Sequence, residues 1–392
     1  MQDGRAGGPV SRNFIMRILV LSHEYPPVGG GAGASCAILS EEYAVAGHDV
    51  TVLTMGHAGL PAEETIHGVR VLRQPCGRKR WEMASPAEGL FWARRAWRVA
   101  LGLHRRKRFD ISHAHFVMPA GIVARWLHRS TKVPYVITPR GSDVPGYNRE
   151  RLKLAHALAR PWWKHIVRHA CWVVSPSASL LELIEIQQPA VRAMVIPNGV
   201  NTARFVPGTK QKRILLCSRL VERKGFQYFL EGIRDLELPG WRVEIVGSGP
   251  YQAKLQELAR DCKTPVVWHG RIDNHDPRLA ALYAEAAICV LPSERENCPV
   301  AILEGMTAGC AVITTNVTGN PEVLGECGYL VPPRDSRALR DAICFLINDE
   351  ALCRSLGAAA RQRVLEKFEP RQIAQRNLEI LSNCLDRQEV GQ

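Results

Sequence analysis

The stretch AICVLPSERENCPVAILEGMTAGCAVITT, residues 287–315, contains a complete structural unit. It opens with a short apolar run, passes through a loop carrying Glu294 and Glu296, starts a helix at Pro299 and ends in a second apolar run, AVITT. Proline is preorganised for the first helical turn, and strand, helix and strand in close succession are the repeating unit of a parallel sheet. Glu296 and Glu304 flank the helix start. Free N–H groups and the positive dipole end, over the segment Asn297, Cys298, Pro299 and Val300, suit an anionic diphosphate or the sugar hydroxyls next to it. The two carboxylates would accept hydrogen bonds from hydroxyls. Solvated glutamates on a loop and a helix surface are the commoner case, and the spacing alone leaves that alternative open.

Outward from this unit the same alternation fills the chain. RILVLS, DVTVLT, GVRVLR, ISHAHF, YVITP, CWVVSP and AMVIPN recur in the first half, with helix-like stretches between most of them. After the proline-flanked segment ARFVPGTKQK the pattern restarts with RILLCS, RVEIVG, PVVWHG, AICVLPS and AVITT. A length of 392 residues exceeds what one core usually supports. The expectation is an α/β protein of two Rossmann-like domains, residues 16–205 and 206–370, with ligands in the cleft where the carboxyl ends of both sheets meet. Residues 371–392 read as a helix that crosses back to the first domain. The polar, glycine-rich residues 1–15 read as a disordered extension.

Further candidate groups follow strand ends. In SRLVERKGFQYF, Arg219 and Lys224 lie five positions apart before a helix, where two fixed cations stabilise a leaving diphosphate. A solvated pair at a domain edge is the alternative. Gly247 and Gly249 follow RVEIV, as a close backbone approach to a nucleotide requires. Gly29, Gly30, Gly31 and Gly33 follow RILVLS, but no acidic ribose clamp follows the next strand, which argues against a nicotinamide enzyme. In ISHAH, His113 and His115 share one strand face.

The segment beginning at Glu296 resembles the signature of glycosyltransferase family 4, a glutamate, seven residues and a second glutamate, and the likeness runs along nearly the whole chain. That resemblance implies the GT-B fold, two Rossmann-like domains facing across a deep cleft, and retaining transfer without a metal ion. It gives Glu296 the donor sugar, Glu304 the ribose, and Arg219 with Lys224 the diphosphate. Where family members often carry Gly-Phe-Gly after the first glutamate, this chain has Asn297-Cys298-Pro299. The likeness also places Gly30 and Gly31 beside the donor phosphate, the backbone at Arg271 and Ile272 by the base, and His115 by the transferred sugar, leaving His113 to packing. TPRGSDV resembles the family's His-Gly-Ser-Asp element with Arg140 for the histidine; its Asp143 orients the acceptor or a loop, or caps a turn. Asn198-Gly199 matches an interdomain turn, and Glu322 is expected to support the donor pocket.

The net charge is +13, and all of the excess lies up to Phe205, with 27 Lys and Arg against 14 Asp and Glu. Residues 78–108 interleave Trp81, Phe91, Trp92 and Trp97 with cations, and Arg160, Trp162, Trp163, Lys164 and Arg168 form a second cluster. Such faces favour anionic membrane surfaces, although tryptophans packed inward under a solvated face explain the pattern equally well. No nucleic-acid module accompanies the charge. The twelve scattered cysteines lack metal-ligand spacing and read as reduced thiols. No apolar run is long enough to span a membrane and no secretory leader is evident, so the expected location is the cytoplasm, with peripheral attachment at the inner face of the membrane. The expected partners are a UDP- or GDP-sugar donor, acting as co-substrate with no further cofactor, and an unknown acceptor, lipid-linked or membrane-proximal. A nucleotide-sugar epimerase or hydrolase would turn over donor without acceptor. A non-catalytic binding module is the third reading.

Overall fold

The computed structural model describes residues 15–81, 84–147 and 153–390; of the expected extension, residues 1–14 lie outside these. The first domain comprises β1 (Arg17–Leu21), α1 (Gly31–Val45), β2 (Asp49–Met55), β3 (Glu63–Ile66), β4 (Val69–Gln74), α2 (Pro86–Arg106) and β5 (Ile111–His115), followed by α3 (Ala120–Thr131), β6 (Tyr135–Thr138), α4 (Lys153–Arg168), β7 (Trp172–Ser175), α5 (Ala178–Gln187) and β8 (Ala193–Val195). Its sheet runs β3-β4-β2-β1-β5-β6-β7-β8. Along β1, Ile18 and Val20 enter one core while Leu19 and Leu21 enter another on the opposite face. A strand covered on both sides must be apolar throughout its buried stretch, hence the unbroken run ILVL after Arg17.

The second domain holds β9 (Gln211–Cys217), α6 (Phe226–Ile233), β10 (Arg242–Val246), α7 (Gln252–Ala259), β11 (Val266–Gly270), α8 (Pro277–Glu285), β12 (Ala286–Leu291) and α9 (Val300–Thr307), then β13 (Ala311–Thr315), α10 (Asn320–Leu324), β14 (Gly328–Val331), α11 (Ser336–Asn348) and α12 (Glu350–Lys367). Its strands are all parallel, in the order β11-β10-β9-β12-β13-β14. Both sheets reverse strand order at one point, between β1 and β5 and between β9 and β12. The crevices at these points are where open α/β sheets take ligands.

Three details depart from the expected pattern. β3 is an antiparallel edge strand paired with β4 through the turn His67-Gly68, whose φ values of 46° and 81° are those of a tight hairpin. Val200 and Phe205 belong to the core of the second domain, so its packing begins before residue 206. The last helix, α13 (Pro370–Val390), begins at residue 370 and inserts Ile373, Ala374, Leu378, Ile380, Leu381 and Cys384 into the core of the first domain beside Leu39 and Tyr43. Among the described residues no helix is long and apolar enough to cross a membrane.

Candidate active site

A cleft of about 1940 Å³ runs between the two domains. On the second-domain wall, Arg219 follows β9, Lys224 ends a single 3-10 turn, Glu296 lies in the loop after β12 and Glu304 stands on α9. Gly225 closes the 3-10 turn with φ 72°, and a Cβ there would fall 1.9 Å from the Pro292 carbonyl oxygen. Glycine therefore lets the turn press against the end of β12. The result is a direct ion pair between Lys224 and Glu296, each 12% exposed. Burial pushes the Glu296 carboxyl up, but Lys224 and Arg223 outweigh it and hold it below its ordinary range. Burial lowers the Lys224 ammonium, against the pull of Glu296.

Glu304 differs from Glu296. It lines the same wall, and burial pushes its carboxyl up to about 7. The α9 N-terminus beside it has no side-chain cap, which leaves its first N–H groups to the cleft. Asn297, Cys298, Pro299 and Val300 all line the cleft, but two of them are already engaged with the opposite domain. Asn297 Nδ2 donates to the Arg140 carbonyl at 2.9 Å, and the Cys298 carbonyl accepts from Asn198 Nδ2 at 2.7 Å.

Two second-domain candidates, Gly247 and Arg271, line the cleft as expected and carry structural constraints as well. Gly247 lines the cleft, but packing alone already demands glycine there: at φ 142° a Cβ would meet the Ser218 carbonyl oxygen at 1.8 Å. Arg271 reaches across the cleft rather than only framing a base site. Its guanidinium donates to the Pro27 carbonyl and lies 4.8 Å from the centre of the Trp81 ring.

The first-domain wall begins with the glycine loop. A Cβ at Gly30 would lie 3.4 Å from Arg219 Nε, and one at Gly31 would lie 3.6 Å from Val300, so this loop is pressed against the donor wall. His115 is fully buried and does not line the cleft; Arg140, bonded to its Nδ1, lines the cleft instead. Burial, then Arg140, holds the His115 imidazole neutral, far below its usual range. His113 is packed, with Tyr43 Oη at 3.2 Å and Thr138 Oγ1 at 2.8 Å. Asp143 holds loops: its carboxylate accepts from the Val117 N–H at 2.6 Å and the Arg140 N–H at 2.9 Å. Asn198 joins the domains: its Oδ1 accepts from Ser35 Oγ at 2.7 Å and Arg140 Nη1 at 2.6 Å in the first, while its Nδ2 donates to the Cys298 carbonyl of the second. Glu322 lies away from the donor pocket. Its carboxylate accepts from the N–H groups of Ala178 (2.7 Å) and Ser179 (3.0 Å), capping α5 of the other domain, because a helix N-terminus attracts a carboxylate.

Sequence reading underrated Arg140, and it passed over His23, which lines the cleft with a buried Nδ1 that lacks a partner among the described residues. The only available signal for Arg140 was its departure from the expected histidine. The aromatic clusters divide: Trp92 and Trp163 are core residues, Trp97 packs on Trp126, and Trp81 sits between His57 and Arg271. Phe91 and Trp162 remain exposed.

The pattern of the group 1 glycosyl transferases matches residues 211–349, and that of Glycosyltransferase Family 4 matches residues 29–204. The glycogen synthase of Mycobacterium tuberculosis is 30% identical over 92% of this chain and 92% of its own. The sucrose-phosphate synthase of Thermosynechococcus elongatus superposes with a TM-score of 0.82 at 23% identity, over 94% of this chain and 99% of its own. Anabaena HepE, solved in complex with UDP-glucose, gives 0.75 at 18% identity over 94% of this chain and 100% of its own. With two Rossmann-like sheets, a cleft at both switch points and these likenesses, the chain belongs to the group 1, family 4 glycosyltransferases of the GT-B fold.

Proposed function

We propose that this glycosyltransferase takes a hexose from a UDP- or GDP-sugar and transfers it, with retention and without a metal ion, to a hydroxyl of a lipid-linked or cell-surface glycoconjugate at the inner face of the membrane. The observation that carries the reading is the convergence of Arg219, Lys224, Glu296 and Glu304 on one cleft wall, next to an uncapped helix N-terminus. Arg219 and Lys224 hold the diphosphate, Glu304 accepts from the ribose and Glu296 from the sugar. The arriving phosphate competes for the Lys224 ammonium and leaves the Glu296 carboxylate to the sugar, so both charges exchange partners without either being left alone. The bond from the anomeric carbon to the phosphate oxygen breaks, the acceptor oxygen bonds on the same face, and its proton passes to the departed phosphate.

Thermal shift against UDP-, GDP- and ADP-sugars tests the donor, because a ligand that binds only the folded state raises the melting temperature. A rise with one UDP- or GDP-sugar is expected; no rise with either class overturns the assignment. NMR of the product then reads the anomeric configuration, and inversion would refute the retaining step. Full activity after chelation is expected. Complete donor turnover without acceptor would favour the epimerase or hydrolase.

A further inference from the structure

A second concavity lies on the first domain, outside the cleft. Arg94, Trp97 and Arg98 of α2 and Trp126, Arg129 and Ser130 of α3 enclose about 500 Å³. Its floor is aromatic, with Trp97 and Trp126 meeting edge to face at 5.8 Å between ring centres. Its rim is cationic, and among the described residues Arg94, Arg98 and Arg129 form no ion pair. Three guanidinium groups around one hollow repel each other, and a phosphate bound by paired N–H groups relieves that repulsion.

The surroundings select among phosphates. One turn before Arg94 on α2, Leu90 and Phe91 are 48% and 52% exposed. On α4, which packs on α3, Leu158 and Trp162 are 79% and 62% exposed. A soluble anion has no use for exposed leucine, phenylalanine and tryptophan beside its site, whereas a bilayer buries such side chains at the depth of its headgroups. Leu90 also lines the cleft, together with Met118 and Ile122 at the start of α3, so the helix pair bearing the hollow also walls the acceptor side.

We propose that the hollow between α2 and α3 binds the phosphodiester headgroup of an anionic phospholipid and seats the first domain on a membrane, with the cleft opening beside the headgroup plane. This rests on the membrane-proximal acceptor proposed above and gives it a site. Each arginine at an anionic surface is worth about fivefold in binding, so losing all three costs about a hundredfold.

The test is co-sedimentation of the full chain with phosphatidylcholine vesicles and with vesicles carrying phosphatidylglycerol. Wild type is expected to bind only the latter. Arg94→Ala/Arg98→Ala/Arg129→Ala should lose about a hundredfold at an unchanged melting temperature, and Arg105→Ala/Arg106→Ala, in the last turn of α2, should lose no more than a few-fold. Should the triple variant prove unfolded, Arg94→Gln/Arg129→Gln replaces it, with about a twenty-fold loss expected. Wild type binding neither vesicle overturns the membrane-proximal reading along with the site. Wild-type binding retained by the arginine variants, or equal losses from the control pair, overturns the site alone. Inorganic phosphate raising the melting temperature through the same arginines, without vesicle binding, would identify a free anion and overturn the lipid.

Discussion

The two walls of the cleft are built on opposite plans. On the second domain, Lys224 and Glu296 stand on short connections after strand ends and pair with each other, while Glu304 lines the cleft from α9. On the first domain, Arg140 and Asp143, which line the cleft, are bound into the structure. Arg140 spans Ser35, Asn198 and His115, while Asp143 ties down two loops. The first arrangement keeps charge available to a ligand; the second uses charge to hold the loops of the first domain in place, while amide-to-carbonyl bonds from Asn297 and Asn198 tie the domains together. Losses on the donor wall should therefore fall on turnover, and losses on the other wall on stability.

The largest effect tests the donor wall. Lys224→Ala is expected to cut kcat/KM about 10²–10³-fold, the usual loss of one charge-stabilising donor. It also leaves Glu296 buried without its partner, so the melting temperature should fall. Adding Glu296→Gln should restore stability and not activity; steady-state kinetics showing wild-type turnover in either variant would break the contrast.

Next comes Arg140→Ala. Removing one partner from a largely buried polar cluster strands the others, at about 2–4 kcal/mol. Urea unfolding measures the loss, and a change below about 0.5 kcal/mol, within the range of an ordinary surface substitution, would show that the cluster is not structural.

The smallest effect separates the two glutamates. Folded Glu304 keeps its proton up to about pH 7, against an ordinary value of 4.5. Wild type therefore sheds stability relative to Glu304→Gln as pH rises between those values, and at pH 8 the variant should melt higher. If ribose hydroxyls donate to the ionised carboxylate, donor KM falls as pH rises through 7 in wild type and stays flat in Glu304→Gln. A flat wild-type profile would remove Glu304 from the ribose.

The α/β alternation and the placing of Arg219 with Lys224, and of Glu296 with Glu304, after strand ends were legible because each depends on neighbours a few residues away along a strand-loop-helix unit, whereas the Lys224–Glu296 pair spans 72 positions. β3 was not, since EETI is short and polar at an edge. The placement of Arg140 was also hidden. Its partners lie 25, 58 and 105 positions away, and no local pattern encodes which side chain covers which. Family likeness put His115 at the sugar, and strand alternation fixes its face but not the guanidinium lying over it. Glu322 was misread because the helix end that it caps belongs to the other domain.

The return of α13 to the first domain has a consequence for synthesis. Ile373, Leu378 and Leu381 of α13 complete a core whose first-domain members, from Met16 to Ile196, are made before the second domain exists. At about 5–20 residues per second, the ribosome needs roughly ten seconds or more to travel from one to the other. For that interval the nascent first domain exposes the greasy flank around Leu39 and Tyr43 that α13 will cover. The domain made first is the last to be finished, and on the ribosome that flank is where a chaperone would have most to bind.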